Sequence, residues 1–121
     1  MGDAFARWAG ESFCYVTTTG RRTGRPHTIE IWFAYRDGAL YLLAGGGERS
    51  DWVRNLARMP NARVRIGDDD VAVRGRVVTD AAEERAAREL LAAKYQGWRP
   101  GAPMSEWART ALPVALDPVS P

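Results

Sequence analysis

The 121-residue sequence holds one cysteine and one histidine. Cys14 alone excludes an intrachain disulfide, and with His27 it cannot complete the ligand set of a structural zinc site. Within a strand-like run it reads as a small core residue, not a nucleophile. No apolar run approaches the ~20 residues of a transmembrane helix. The opening MGDAFARWAGESF lacks a basic start followed by a long apolar stretch, so no secretory signal is read there and a cytoplasmic protein is expected. Ala6 stands where N-myristoylation after Met1-Gly2 asks for Ser or Thr. A surplus of one charge is missing too. With 17 basic and 15 acidic residues the net charge is +2, which gives no global attraction to nucleic acid or membrane. Arg63, Arg65, Arg74 and Arg76 share one predicted hairpin, yet no RNP-like motif accompanies them, so no nucleic-acid partner is expected. Walker A and GxGxxG spacings, repeats and linkers are likewise absent.

What the chain does have is 45% hydrophobic residues, enough to argue against disorder and for a single domain over residues 1–121. Its centre of interest is residues 17–35, TTTGRRTGRPHTIEIWFAY. Ile29, Ile31, Phe33 and Tyr35 alternate with Thr28, Glu30, Trp32 and Ala34, which is the period of a strand with one apolar face. Before it, Phe13, Tyr15 and Thr17 alternate with Cys14, Val16 and Thr18. Between the two, Gly20, Gly24 and Pro26 shape a loop that carries Arg21, Arg22 and Arg25. Three guanidiniums on a glycine turn suit phosphate or carboxylate oxygens, with backbone amides pointed the same way. Spacing leaves two readings open, an anion site and a solvated hairpin end.

Further on, Asp37-Gly38 signals a hairpin into Ala39–Ala44, an apolar strand expected to be buried on both faces. Gly45-Gly46-Gly47 follows, either a flexible connector or a place where a ligand comes close. Ser50 or Asp51 is expected to cap a helix running to Met59, with Trp52, Leu56 and Met59 on one face. Residues 62–66 and 71–77 read as a hairpin closed by Gly67-Asp68-Asp69-Asp70, a turn without the spacing of a calcium loop. Asp80 with Glu83 opens a helix to about Tyr95, with Glu84 and Arg88 as an i,i+4 pair. Ser105 caps a short turn holding Trp107. Residues 112–116 form a last strand, proline-bounded and so expected at an edge. A short helix over residues 3–11 uses Phe5, Trp8 and Ala9. About six strands, mostly in hairpins, with one helix midway and one near the end, predict a mainly β (α+β) fold, a small antiparallel barrel with peripheral helices.

TTTGRRTGRP, the apolar strand after it, DG-ALYLLA-GGG, Trp52-Val53-Arg54-Asn55-Leu56 with Pro60-Asn61, and Trp107-Ala108-Arg109-Thr110 before Leu112-Pro113-Val114 resemble the deazaflavin-dependent nitroreductase family. The order holds over residues 12–118. The resemblance implies a split β-barrel of the FMN-binding type and the 8-hydroxy-5-deazaflavin coenzyme F-420, whose tail carries a phosphate and an oligoglutamate. It places Arg21, Arg22, Arg25 and His27 toward that tail. Ile31, Trp32, Leu43, Ala44, Gly45, Gly46, Trp52, Arg54 and Asn55 would surround the phosphate and the ring. The implied activity is hydride transfer from the reduced coenzyme to a nitroaromatic, quinone or activated alkene, with no catalytic triad or carboxylate pair required. Tyr95 and Trp98 are the candidates to donate a proton or hydrogen bond to the acceptor. Where the family commonly has Ser-Lys before its paired glycines, this chain has none. FMN is the alternative cofactor, needing fewer arginines than the chain offers, and a non-catalytic cofactor-binding protein is the alternative in kind. Split barrels often pair, so a homodimer stays open.

Overall fold

The computed structural model describes residues 7–119. Seven strands form one antiparallel sheet: β1 (Cys14–Thr19), β2 (Pro26–Ile31), β3 (Ala34–Arg36), β4 (Ala39–Ala44), β5 (Asn61–Ile66), β6 (Asp69–Val77) and β7 (Leu112–Pro118). Three helices accompany them, α1 (Asp51–Arg58), α2 (Ala81–Gln96) and α3 (Glu106–Thr110), and a 3-10 turn spans Gly47–Arg49. Residues 7–9 are helical. The rest of the N-terminal helix expected around Phe5 lies outside the described residues.

The strand order is β2-β1-β5-β6-β7-β4-β3. The sheet therefore ends in β2 on one side and β3 on the other, yet only Trp32 and Phe33 separate these two strands in sequence. The three Cα–Cα steps from Ile31 to Ala34 span at most ~11 Å, so the sheet has to curl until its edges nearly meet. Curling turns alternate residues inward. Cys14, Val16, Phe33, Leu40, Leu42, Val64, Ile66, Val73, Val114 and Leu116 gather in one cluster, with Ile29, Ile31 and Tyr35 against it. On the opposite face, Ala39, Tyr41, Leu43 and Ala115 pack beneath Ala87 and Leu91 of α2. Strand β4 serves both clusters and is buried along its whole length, as its unbroken apolar sequence predicts.

Three expectations need correction. The run over residues 28–35 is two strands, not one, so the sheet has seven strands where about six were read. The break at Phe33 has a cause far along the chain: its N–H donates to the Tyr95 hydroxyl at 3.0 Å and its carbonyl accepts from Lys94 Nζ at 3.0 Å. Side chains of α2 thus take the place of ladder partners. Second, β7 is no edge strand. It lies between β6 and β4, pairing with both. Pro113 is tolerated because its carbonyl accepts from Val78 N at 3.0 Å, on the side where the β6 ladder stops at Val77; its missing N–H falls beyond the ladder's end. Third, α1 ends at Arg58, Met59 is exposed, and the buried residues are Val53, Asn55 and Leu56. Leu56 reaches the barrel because β6 has a glycine beneath it: a Cβ on Gly75 would stand 2.9 Å from both Leu56 methyls. Burying Val53 and Leu56 stabilises the helix position by about 1.5–3 kcal/mol each.

The turn between β5 and β6 is tighter than read. Ile66 pairs with Asp69, leaving Gly67 and Asp68 as a two-residue loop with Gly67 at φ +58°. Asp69 accepts from Trp8 Nε1 at 2.6 Å and pairs with Arg7 at 3.1 Å, which fastens the N-terminal turn to the barrel. Those donors hold its carboxyl below the usual range. Of the three predicted caps two make their bonds: Asp80 accepts from Glu83 N, and Ser105 accepts from Ala108 N; Ser50 takes the cap position of α1 without a side-chain bond.

Candidate functional site

The β1–β2 loop is closed by its own backbone. Gly20 N donates to the Arg25 carbonyl at 2.7 Å and Gly24 N to the Gly20 carbonyl at 2.8 Å. Gly24 takes φ +73°, which glycine adopts freely. Gly20 acts through close approach: a Cβ there would lie 2.7 Å from His27 Nε2, so the glycine lets the exposed imidazole lie against the loop. The three arginines then part ways. Arg21 folds back onto α1, its Nη1 donating to Asn55 Oδ1 at 2.9 Å and its Nη2 pairing with Asp51 Oδ1 at 3.1 Å. Asn55, buried in the helix, also donates from Nδ2 to Thr18 Oγ1 at 3.0 Å and accepts the Arg21 N–H at 3.2 Å. One asparagine therefore ties helix, strand and loop together. Arg22 and Arg25 are exposed, and neither takes part in an ion pair among the described residues.

These residues border a cleft of about 430 Å³ lined by Gly20, Arg21, Arg22, Thr23, His27, Thr28, Ile29, Asp51, Trp52 and Asn55. One wall is the loop and β2, the other the first half of α1. With the unpaired Arg22 guanidinium in its lining beside Arg21, the cleft is suited to an anion bearing several oxygens.

A second cleft, of about 570 Å³, follows the other end of β2 and is lined by Phe13, Glu30, Ile31, Trp32, Leu43, Gln96 and Trp107. Its wall is aromatic and built. Trp32 stacks on the Tyr95 ring with centroids 4.4 Å apart and planes 3° from parallel, and Trp107 meets it edge-on at 5.3 Å. Trp32 keeps 37% of its surface exposed and lines the cleft, an amphipathic ring of the kind that planar ligands stack on. Behind it the Tyr95 hydroxyl lies 2.8 Å from the Ser12 carbonyl and 2.9 Å from the Phe33 carbonyl while accepting the Phe33 N–H. Burial raises its pKa, with the nearby Cys14 adding to this and its backbone hydrogen bond opposing. Lys94 Nζ sits 3.8 Å above the Phe33 ring, and burial lowers the pKa of its ammonium.

The residues singled out from the sequence thus divide. Arg21, Arg22, His27, Trp52 and Asn55 line the polar cleft, and Ile31, Trp32 and Leu43 the aromatic one. Arg25 stands on the same loop but outside the lining. Ala44 is buried, and Gly45 and Gly46 are exposed at the end of β4, with a Cβ on Gly45 3.9 Å from Trp107. Arg54 is exposed and donates to the Glu48 carbonyl at 3.4 Å. Tyr95 is behind the aromatic wall, not in it, with its hydroxyl given to backbone. Trp98 lies in the loop after α2, donating Nε1 to the Ala102 carbonyl at 2.8 Å and bordering a separate hollow with Gln96, Gly97, Ala102, Pro103 and Ser105. Sequence reasoning missed Phe13 and Trp107 as site residues. An aromatic at the mouth of a strand was the available signal for the first, and the shared motif for the second.

The model of the family described as F420H(2)-dependent quinone reductase matches residues 2–116. The chain belongs to that family. Among solved structures it is similar to an F420-H2 dependent reductase at 19% identity and TM-score 0.68, covering 87% of this chain and 92% of that one. An F420 reductase matches at 17% identity and TM-score 0.66, over 95% and 92% of the two chains. The heme storage protein HutZ of Vibrio cholerae matches at 12% identity and TM-score 0.76, over 99% and 90%. At such identities the likeness carries the fold, and that fold is the split β-barrel. Quinone-reductase family membership makes the protein an oxidoreductase of the deazaflavin-dependent kind. Among the described residues no helix is long and apolar enough to cross a membrane.

Proposed function

We propose that the protein binds the reduced deazaflavin coenzyme F-420 across β2 and delivers its hydride to a small quinone, with nitroaromatics and activated alkenes as further acceptors. The observation that carries this reading is the pairing of two unlike clefts on one strand. Thr28 and Ile29 border the polar cleft; Glu30, Ile31 and Trp32 border the aromatic one. The donor set fits the coenzyme's tail: Arg22 and His27 line the polar cleft, Arg25 is exposed on the same loop, and phosphate and glutamate oxygens are what such groups hold best. Arg21 and Asn55 position the loop that carries them. At the other end, Ile31, Trp32, Leu43 and the glycines after Ala44 offer a flat, weakly polar surface to a ring, where Gly45 and Gly46 present backbone without side chains. When bound, the coenzyme supplies the hydride. The chain's part is to orient it, keep water from the ring and admit the acceptor beside Trp32, Trp107 and Phe13. Tyr95 serves as the backing that sets the Trp32 plane, and Trp98 shapes the neighbouring loop.

The test is a fluorescence titration of the purified protein with oxidised deazaflavin coenzyme and, separately, with FMN, followed by turnover of a water-soluble quinone with the reduced coenzyme. Deazaflavin binds the parent, and Arg22→Ala/Arg25→Ala weakens it at least about tenfold, since each lost charge-assisted hydrogen bond is worth about 1.5 kcal/mol or more. Binding of FMN in preference would move the protein to the flavin branch of this fold. Binding without turnover would make it a cofactor carrier. If neither compound binds, the reading fails.

A further inference from the structure

The arginine deepest in the polar cleft is already spoken for. Arg21 keeps only 23% of its side chain exposed, while its ion-pair partner Asp51 is 86% exposed. The two Arg21 anchors differ in kind. Asn55 is buried and locked to Thr18, so its Oδ1 stays beneath Nη1 and the loop N–H. Asp51 stands on the open first turn of α1 and has no second fastening. Nor is it the helix cap: Ser50 occupies that position, and no side-chain capping bond is made there. A carboxylate of the chain therefore rests on the guanidinium of an arginine that lines the cleft, where an incoming anion would compete with it.

We propose that Asp51 is the selectivity residue of this cleft, an internal counter-ion that a ligand must displace from Arg21 Nη2. This rests on the reading of the cleft as an anion site and adds the class of anion it accepts. A monocarboxylate or chloride offers Arg21 no more than Asp51 does, and gains nothing by exchange. A phosphoryl group with two or more charges offers more oxygens, matches the guanidinium fork, and engages Arg22 at the same time. Arg21 need not move, because Asn55 continues to hold it. Asp51 only has to rotate into solvent, where an exposed carboxylate is well hydrated and its surface pair is weak. The cleft thus rejects single charges and admits phosphoryl groups.

The experiment is a calorimetric titration of the protein with pyrophosphate and with acetate at low ionic strength. It compares the parent, Asp51→Asn, Arg21→Gln and the double variant, each checked by circular dichroism and melting; Arg21→Met, equally uncharged, replaces Arg21→Gln should the latter unfold. Asp51→Asn is expected to tighten pyrophosphate about three- to tenfold, the scale of releasing one exposed ion pair and its repulsion. It raises acetate by more, narrowing the preference between the two. In the Arg21-substituted background the gain disappears. The proposal is overturned if the preference is unchanged in Asp51→Asn, if the gain survives without Arg21, or if no variant binds pyrophosphate. Failure of the coenzyme reading shows separately, as a parent protein that binds pyrophosphate but not oxidised deazaflavin.

Discussion

Replacing Tyr95 by Phe removes one oxygen and leaves the ring on which Trp32 stacks. That oxygen accepts the Phe33 N–H at 3.0 Å and lies within hydrogen-bonding range of the Ser12 and Phe33 carbonyls; its single proton serves one of them at a time. The Phe33 carbonyl keeps Lys94 Nζ at 3.0 Å, so it loses little. The Phe33 N–H keeps nothing, because it stands in the gap between β2 and β3 where no ladder partner exists. An unsatisfied buried N–H costs about 1–3 kcal/mol. Tyr95 itself is half-buried and water can partly replace its oxygen, so the lower half of that range, about 1–2 kcal/mol, is expected. For a domain of this size that is a fall in Tm of roughly 3–10 °C, with an unchanged urea m-value since the surface exposed on unfolding is the same. Urea unfolding followed by tryptophan emission measures it. The reasoning is refuted if Tyr95→Phe unfolds at the parental urea concentration, and a loss of quinone turnover at unchanged stability would return Tyr95 to the role of proton donor.

Two further outcomes follow from packing and charge. Gly75→Ala drives a methyl to 2.9 Å from both Leu56 methyls, with Leu116 at 3.3 Å; overpacking of this kind costs about 1–3 kcal/mol, read as a lower urea midpoint, and parental stability would show that α1 shifts without cost. Arg76, followed by the Tyr41 hydroxyl, holds the Glu83 carboxyl down to about 2 against an ordinary 4.5. Because the folded pKa is depressed, the stabilisation is fully present above pH 4.5 and is lost as pH falls through about 2. Glu83→Gln therefore unfolds at lower urea than the parent at pH 6, with the gap closing toward pH 2. A gap independent of pH would mean that packing, not charge, makes the difference.

Much of the fold could be read because its signals are local. The alternation in β5, the double-sided burial of β4, the Asp80 and Ser105 caps and the Glu84–Arg88 pair each depend on residues a few positions apart. What escaped depends on distant partners. Nothing near Phe33 announces that Tyr95, 62 positions away, will take its N–H. Pro113 looks like an edge residue until Val78 is seen to meet only its carbonyl. The arginine loop was legible as a charged glycine turn, but the division of labour within it was not: Arg21 goes to Asp51 and Asn55 while Arg22 and Arg25 stay free, and that follows from where α1 lands. The aromatic wall is a similar case. Trp32 was visible as part of a strand, whereas Trp107 and Phe13 join it only through the fold.

The position of β7 bears on how the chain acquires its structure. Without residues 112–118 the sheet separates into β2-β1-β5-β6 and the β3–β4 hairpin, since β6 and β4 touch only through β7. Both of those strands have open edges until the last strand is made, and β4 is apolar from end to end. Before β7 is made the preceding strands therefore stand as two pieces with sticky borders, linked by Trp32-Phe33 and again by residues 45–60. Closure of the barrel waits on one late strand whose pairing with β4 spans some 70 residues of chain. Long-range closure of that kind slows folding, and it makes β7, remote in sequence from the whole lining of the polar cleft, the step on which the assembly of the barrel depends.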